Sequence, residues 1–466
     1  MTVRTRLAIT VAASLGLVTP AVAQQAPAPP PPIRALGPIT AVTKDSIAAV
    51  STAVATAGGK ILLNDITAHR VLMFDSTLRT MTVVADSTGA TANAYGANPA
   101  TLLPFRGDSA LLITPSSLSM LVLSPAGAIT RTMAMPTSTG RGPLGIIGSI
   151  FGTPGFDAKG RLAFYMPIRS PFTPQRQSGG GSGPVQQIVL PVQPDSGMVA
   201  RYDLLTRGTD TAGYVRISKS KTTPQVNTEG RLSSIQTTAF PPQTVDDWAV
   251  TSDGSIAFVR GRDYHIDWLS PDGTWSSTPR MSFAWERLSD DQKTALIDSV
   301  SSAVQEQFDS VQARLERQRA AAAAGSPVTV SGGDGADKGA AGSGGVGFTI
   351  VTRGGDGGGR GGPNGPATFS FPKTVVAKAE LSDVPDYRPP FQPGSVRADL
   401  DGNLWIRTSV IKDGQPVYDI VNRKGEVIDR VQLPAFRRIA GFGHGVVFMG
   451  VRDSAGVAHL ERARVK

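Results

Sequence analysis

The chain has 466 residues, 46 Lys and Arg against 37 Asp and Glu for a formal net charge of +9, and no Cys. That length admits two or three ordinary domains or one large repeat architecture. Without Cys there is no disulfide and no lipid anchor on cysteine, and basic residues scattered without a dense block argue against a nucleic-acid surface.

At the N-terminus, MTVRTR precedes the apolar stretch LAITVAASLGLVTP and then Ala21-Val22-Ala23. A basic start, a short apolar run and small residues at the cut form a secretory signal peptide over residues 1–23, with cleavage expected after Ala23. The run is broken by Thr and Pro, and no other stretch approaches the roughly 18 apolar residues of a membrane span. An exported protein, periplasmic or extracellular and without a membrane span, is therefore expected. Residues 24–37 form a Pro-rich leader, whose QQAPAPPPPIR reads as a solvated tether.

From residue 38 a strand pattern repeats. GGKILLND (58–65), GDSALLIT (107–114), KGRLAFYM (159–166), DGSIAFVR (253–260), DGNLWIRT (401–408) and HGVVFMGV (444–451) each place a glycine-marked turn before an apolar run of strand length. Most are followed by a second strand that ends in a turn such as Ser-Pro-Ala-Gly, Ser-Pro-Asp-Gly or Asn-Arg-Lys-Gly, suited to hairpins. The unit is a four-stranded antiparallel meander. Six such units predict an all-β fold, a six-bladed β-propeller with one inserted α-helix and Gly-rich flexible loops. Blades 1–4 are expected over 38–281 and blades 5–6 over 372–466. The last unit has only three strands (RRIAGFG, GVVFMGVRD, AGVAHLERARV), so ITAVTKD near the N-terminus is expected to add the fourth and close the ring.

Residues 282–371 interrupt this pattern. Apolar residues at 297, 300, 304, 308, 311 and 315 form one helical stripe. Ser289 with Gln292 fits a capping box, Asp290 and Asp291 open the helix, and Arg314, Arg317 and Arg319 are expected to close it. The stripe is expected to pack across a rim or face of the propeller, with a lid or a partner-binding helix as the other options. The tract 325–368 is glycine-rich and flexible. Its Gly332-Gly333-Asp334-Gly335-Ala336-Asp337 resembles one calcium-binding nonapeptide turn, but Gly339 occupies the apolar position and no second copy follows. RQSGGGSGP at 176–184 reads as a surface loop.

Few residues carry a chemical signature. Asp399-Leu-Asp401-Gly-Asn403 could open an EF-hand loop only with Gly at 404 and Glu at 410, which are Leu404 and Val410, so it is a hairpin turn. His69, His265 and His459 recur at the start of a unit's third strand and point in different directions, and His444 stands apart. With no Cys and no paired-His spacing, no zinc site is expected. No nucleophile elbow and no P-loop occurs. Four loops are expected at one channel mouth: YGANP (95–99), TVDDW (244–248), DVPDYRPPF (383–391) and SVRAD (395–399). They would bring together Asn98, Asp246, Asp247, Asp386, Tyr387, Arg388, Arg397 and Asp399 as ligand-binding candidates. The acids would either pair with the arginines and cap strands or hold a calcium-sized ion.

The repeated Asp-Gly turns and Tyr-Asp strand ends, as in VTSDGSIAFVR, ARYDLL and ADLDGNLWIR, resemble secreted bacterial six-bladed propellers of the TolB-like/NHL-like superfamily. The likeness covers roughly residues 38–281 and 372–466 and speaks to fold. A second likeness, to gluconolactonase-like propellers, implies a metal that polarises a lactone carbonyl while an acid acts as base. The expected function is a non-catalytic exported binding or interaction propeller of unassigned ligand, with no catalytic residue assigned. The alternatives are a metal-assisted lactonase- or esterase-like hydrolase using mouth carboxylates, and an envelope scaffold acting through the helix. No cofactor is expected except Ca2+ under the hydrolase. The expected partner of this monomer is a small molecule or an envelope protein, not nucleic acid.

Overall fold

The computed structural model describes residues 29–135, 137–138, 141–143, 151–168, 194–226, 232–323 and 373–466. Residues 1–23, expected as a signal peptide, the tract 325–368 and the loop 176–184 lie outside the described residues. The fold is all-β with one long helix, Asp290–Ala323.

Six sheets are antiparallel meanders in chain order. Sheet one starts at Val50–Ala55, sheet two at Thr101–Phe105, sheet three at Gly155–Phe156, sheet four at Asp247–Val250, sheet five at Phe391–Ala398 and sheet six at Arg438–Gly443. From sheet six through sheets one to five, successive first strands neighbour one another, and sheets five and six meet through a shared core, so the first strands form the inner ring. The glycine anchors lie at the turn leaving each of them, and Gly59, Gly107, Gly160, Gly254, Gly402 and Gly445 all adopt positive φ, between 62° and 82°. That backbone strongly favours glycine, which is why the repeat keeps it while the surrounding residues drift.

Packing follows from strand alternation. Leu404 and Ile406 of sheet five join Ala257, Val259 and Trp268 of sheet four, while Trp405 between them joins Ile439 and Met449 of sheet six. Each sheet shares a core of this kind with the next. Sheet six shares one with sheet one through Phe448, Leu460, Leu63 and Leu72. Full burial of one such side chain is worth about 1.5–3 kcal/mol, so these shared cores dominate stability.

Ile39–Val42 pairs antiparallel with Ala458–Arg464 and supplies the fourth strand of sheet six. One finding departs from the sequence expectation. Ile33–Ala35, inside the leader expected to be solvated, pairs in parallel with Arg430–Gln432 as a fifth strand of sheet five. Arg34 forms a salt bridge to Asp429 and donates to the Val465 carbonyl at 2.7 Å. The open edge of sheet five offers unpaired backbone groups, and the leader has left its prolines behind by Ile33.

A second layer stands outside the six sheets. Thr222–Val226, Leu232–Ala239 and Lys373–Lys378 form a three-stranded sheet inserted before sheets four and five. The helix lies on it, with Leu296 and Ile297 packed against Phe240, Ala379 and Val384. Its capping box is formed: Gln292 N–H donates to Ser289 Oγ at 3.3 Å and Ser289 N–H to Gln292 Oε1 at 2.8 Å. The stripe therefore packs on this small sheet at its first half, and Val311 further along is exposed. The helix also runs past its arginines, so no basic residue stands in its last turn.

Candidate binding cleft

The loops entering sheets four and five meet the turn between the second and third strands of sheet four. Asp246 organises this junction. Its Oδ2 accepts the Arg216 N–H at 3.0 Å and Arg260 Nη1 at 3.0 Å, and its Oδ1 accepts the Gly261 N–H at 3.2 Å. A Cβ on Gly261 would meet the Val245 carbonyl oxygen at 2.0 Å, so this close approach requires glycine. Arg260 also pairs with Asp267 at 2.7 Å. The result fixes the backbone beside Arg216 and beside Arg262.

The opposite wall comes from the segments flanking the helix. Arg388 N–H donates to the Glu286 carbonyl and Leu288 N–H to the Asp386 carbonyl, with Arg287 paired to Tyr387 between them. The Arg388 and Glu286 side chains add a salt bridge at 2.6 Å, whose hydrogen bond holds the Glu286 carboxyl below its ordinary range. Trp285 and Tyr387 stand on this ladder, 39% and 48% exposed, with ring centroids 6.4 Å apart and planes 85° to each other. Trp285 packs on Phe283, and Phe283 on the buried Tyr264, whose hydroxyl donates to Asp419 at 2.9 Å. An aromatic chain thus runs from the core of the ring to the surface.

Between these walls lies an open cleft of about 680 Å³, lined by Arg216, Thr244, Arg262, Trp285, Pro385, Asp386 and Tyr387. A contiguous hollow of about 410 Å³ adds Asp263 and Arg280. Both acids are engaged. Asp386 pairs with Lys293 at 2.6 Å, a hydrogen bond that holds its carboxyl low, and Asp263 bonds His265 at 2.8 Å and meets Arg280 at 3.7 Å. Among the described residues, no carboxylate lies within ion-pair distance of the Arg216 or Arg262 guanidinium.

The eight sequence candidates separate. Asp386 and Tyr387 line the cleft, Asp246 and Arg388 brace it, and all four belong to one junction. Asp247 points elsewhere: fully buried, it accepts the Trp248 and Val396 N–H groups at 3.0 and 2.9 Å. Burial pushes its carboxyl up to about 7, against the pull of backbone N–H groups from Val396, Trp248, Gly152 and Ser395. Arg397 lies within the inner strand of sheet five, not in a loop entering it, and burial lowers its pKa. Asp399 is in the turn at the far end of that strand, accepting from Asp401, Asn403 and the Trp405 indole. Asn98 belongs to the loop entering sheet two, where its N–H bonds Ser116 at 2.8 Å. Among the described residues no three His, Asp or Glu converge as a metal site. Sequence reading missed Trp285, Arg216 and Arg262; the Trp of FAWER, just ahead of a helix cap, was the available signal.

No family model matches the chain. No curated protein matches it either. Among solved structures, it is similar to the calcium-binding protein regucalcin of Agrobacterium tumefaciens at 10% identity and TM-score 0.33, covering 93% of this chain and 98% of that one. It is also similar to a luciferin-regenerating enzyme (10% identity, TM-score 0.34, 91% and 96% covered) and to a streptogramin B lyase (10%, 0.31, 91% and 86%). At such scores the likeness bears on neither site nor chemistry, and the fold rests on the sheets and shared cores described above.

Proposed function

We propose that the six sheets are the blades of an exported six-bladed propeller of TolB-like/NHL-like type, and that it is a non-catalytic binding protein whose ligand enters the cleft between sheet four and the helical insertion. The observation that carries this reading is the pair of exposed rings, Trp285 and Tyr387, held on a hydrogen-bonded ladder beside an open cleft. Exposed aromatics on a rigid support lose little entropy on binding, and such rings are the usual anchors of a recognition surface. The mouth acids favour structural work over metal binding, since Asp246 and Asp386 are engaged by Arg260 and Lys293.

Thermal melting of residues 24–466 against a mixed panel of sugars, organic acids, nucleotides and peptides tests this. At least one compound is expected to raise Tm in the native protein and fail to do so in Trp285→Ala; a ligand at 100 times its Kd adds about 2.7 kcal/mol. No compound-dependent rise, or a rise indifferent to Trp285→Ala, overturns the cleft reading. A rise with Ca2+ that chelator reverses would support the metal-assisted hydrolase instead.

A further inference from the structure

We infer that the cleft selects an anionic ligand carrying a ring, a carboxylate or phosphate joined to one planar or sugar-like face, bound by Arg216 and Arg262 at the charge and by Trp285 and Tyr387 at the ring; this rests on the binding reading above. The first ground is charge accounting within the cleft. Its two acids already have cationic or imidazole partners, Asp386 in Lys293 and Asp263 in His265 and Arg280. Arg216 and Arg262 are left over, exposed and without an ion pair among the described residues. A guanidinium presents a planar fork of donors that matches a carboxylate or phosphate in bidentate fashion, and two on one wall favour an anion over a neutral ligand.

The second ground is placement. Asp246 binds the backbone N–H of Arg216 and of Gly261, which precedes Arg262, and so fixes where both arginines begin. Asp246 is a positioning residue here: its oxygens are occupied and it does not itself line the cleft. The third ground is the shape of the aromatic wall. The rings of Trp285 and Tyr387 meet nearly at a right angle, 85°, and both are partly exposed, which makes a corner and not a parallel slot. A corner takes one ring, and the arginines opposite take its charged substituent. A cleft of about 680 Å³ lies within the usual volume range for small-molecule sites.

The test uses phenyl phosphate, benzoate, glucuronate, inorganic phosphate and phenol as probes, with Trp fluorescence and calorimetry on residues 24–466. At least one of the three ring anions is expected to bind tenfold or more tightly than either inorganic phosphate or phenol. That affinity should fall at least tenfold in Arg262→Gln, with Tm unchanged because this side chain is exposed at the surface, and at least tenfold in Trp285→Ala, measured below its Tm because the variant also loses the packing on Phe283. Glucuronate ahead of benzoate and phenyl phosphate would identify the ring as a sugar, and the reverse order as aromatic; either supports the inference. If no ring anion binds, or if Arg262→Gln leaves binding intact, the inference is overturned. Phenol that binds as tightly as the ring anions and is lost in Trp285→Ala would overturn the anion class while leaving the cleft reading standing. Failure of every compound in both experiments would remove both.

Discussion

Asp246 and Asp247 are neighbours in sequence and serve two different regions. Asp246 faces the rim and holds Arg260 and two backbone N–H groups around the cleft. Asp247 faces the inner ring, is 0% exposed, and ties sheet four to sheet five through the Val396 N–H. Strand alternation makes this division, because consecutive side chains at the start of a strand leave on opposite faces. The same side chain therefore works under two regimes: at the rim its carboxylate meets a guanidinium beside water, and at the axis its carboxyl accepts from backbone N–H groups in a dry core, with the buried Arg397 within electrostatic reach. Removing one should disturb a local junction; removing the other should loosen the ring.

The largest effect is expected at the axis. Asp247→Ala leaves the Val396 and Trp248 N–H groups without their acceptor in a fully buried position. An orphaned buried donor costs about 1–3 kcal/mol, so a loss of about 4 kcal/mol is expected in urea unfolding. A loss under about 1 kcal/mol would show that the axis does not depend on this link. Asp246→Ala should cost less, about 2 kcal/mol, since its partners are only partly buried and water can reach them. Its distinguishing mark is local: hydrogen exchange should rise at Arg216 and Gly261 while the strands of sheets one and two keep their protection. Equal losses in the two variants would erase the contrast.

Acidity sharpens the comparison further. Between about pH 4 and 7 the Asp247 carboxyl keeps its proton in the fold, where burial holds it up to about 7, while the unfolded chain has already lost it. The fold then binds more protons than the unfolded chain, so this contribution falls as pH rises through that window and is flat above it. The slope cannot exceed about 1.4 kcal/mol per pH unit. Asp247→Asn removes the titration, so the stability difference between native and variant should change across pH 4–7 and hold constant above. A difference independent of pH would mean that the carboxyl is ionised in the fold.

The ring was more legible than the cleft because its signals are local. Six glycines with positive φ had to stand beside six apolar runs, and Leu404, Trp405 and Ile406 had to alternate between two cores. The edge strand Ile39–Val42 could be inferred from the missing fourth strand of sheet six. Ile33–Ala35 could not, since three residues after a proline run carry no periodicity and the sheet five edge they join lies almost 400 positions away. Nor could the three-stranded sheet, whose parallel pair Leu232–Ala239 and Lys373–Lys378 spans the helix and the glycine-rich tract. The mouth candidates scattered for a similar reason: a list of polar loop residues does not say which end of a strand each occupies, and Asp399 lies one strand length from Tyr387. Trp285 and the arginines matter only once distant segments are brought side by side.

The smallest stability effect is expected at the outer brace. Glu286 and Arg388 form a salt bridge at the surface, with side chains 48% and 39% exposed. Solvent screens such a pair, and exposed pairs are worth at most about 0.5–1 kcal/mol. Glu286→Gln should therefore shift Tm by a degree or less. The backbone pairing between Glu286 and Arg388 does not need the carboxylate, so the ladder and the ring geometry of Trp285 and Tyr387 should persist. Trp fluorescence at high and low salt checks this, because a brace that works through charge would make the two conditions differ in the native protein and agree in the variant. A large fall in Tm, or a change in the Trp285 environment that salt does not mimic, would mean that the cleft wall is held by its side-chain pair and not by its backbone, and would move the aromatic corner from the rigid ring to a rim that the solution can loosen.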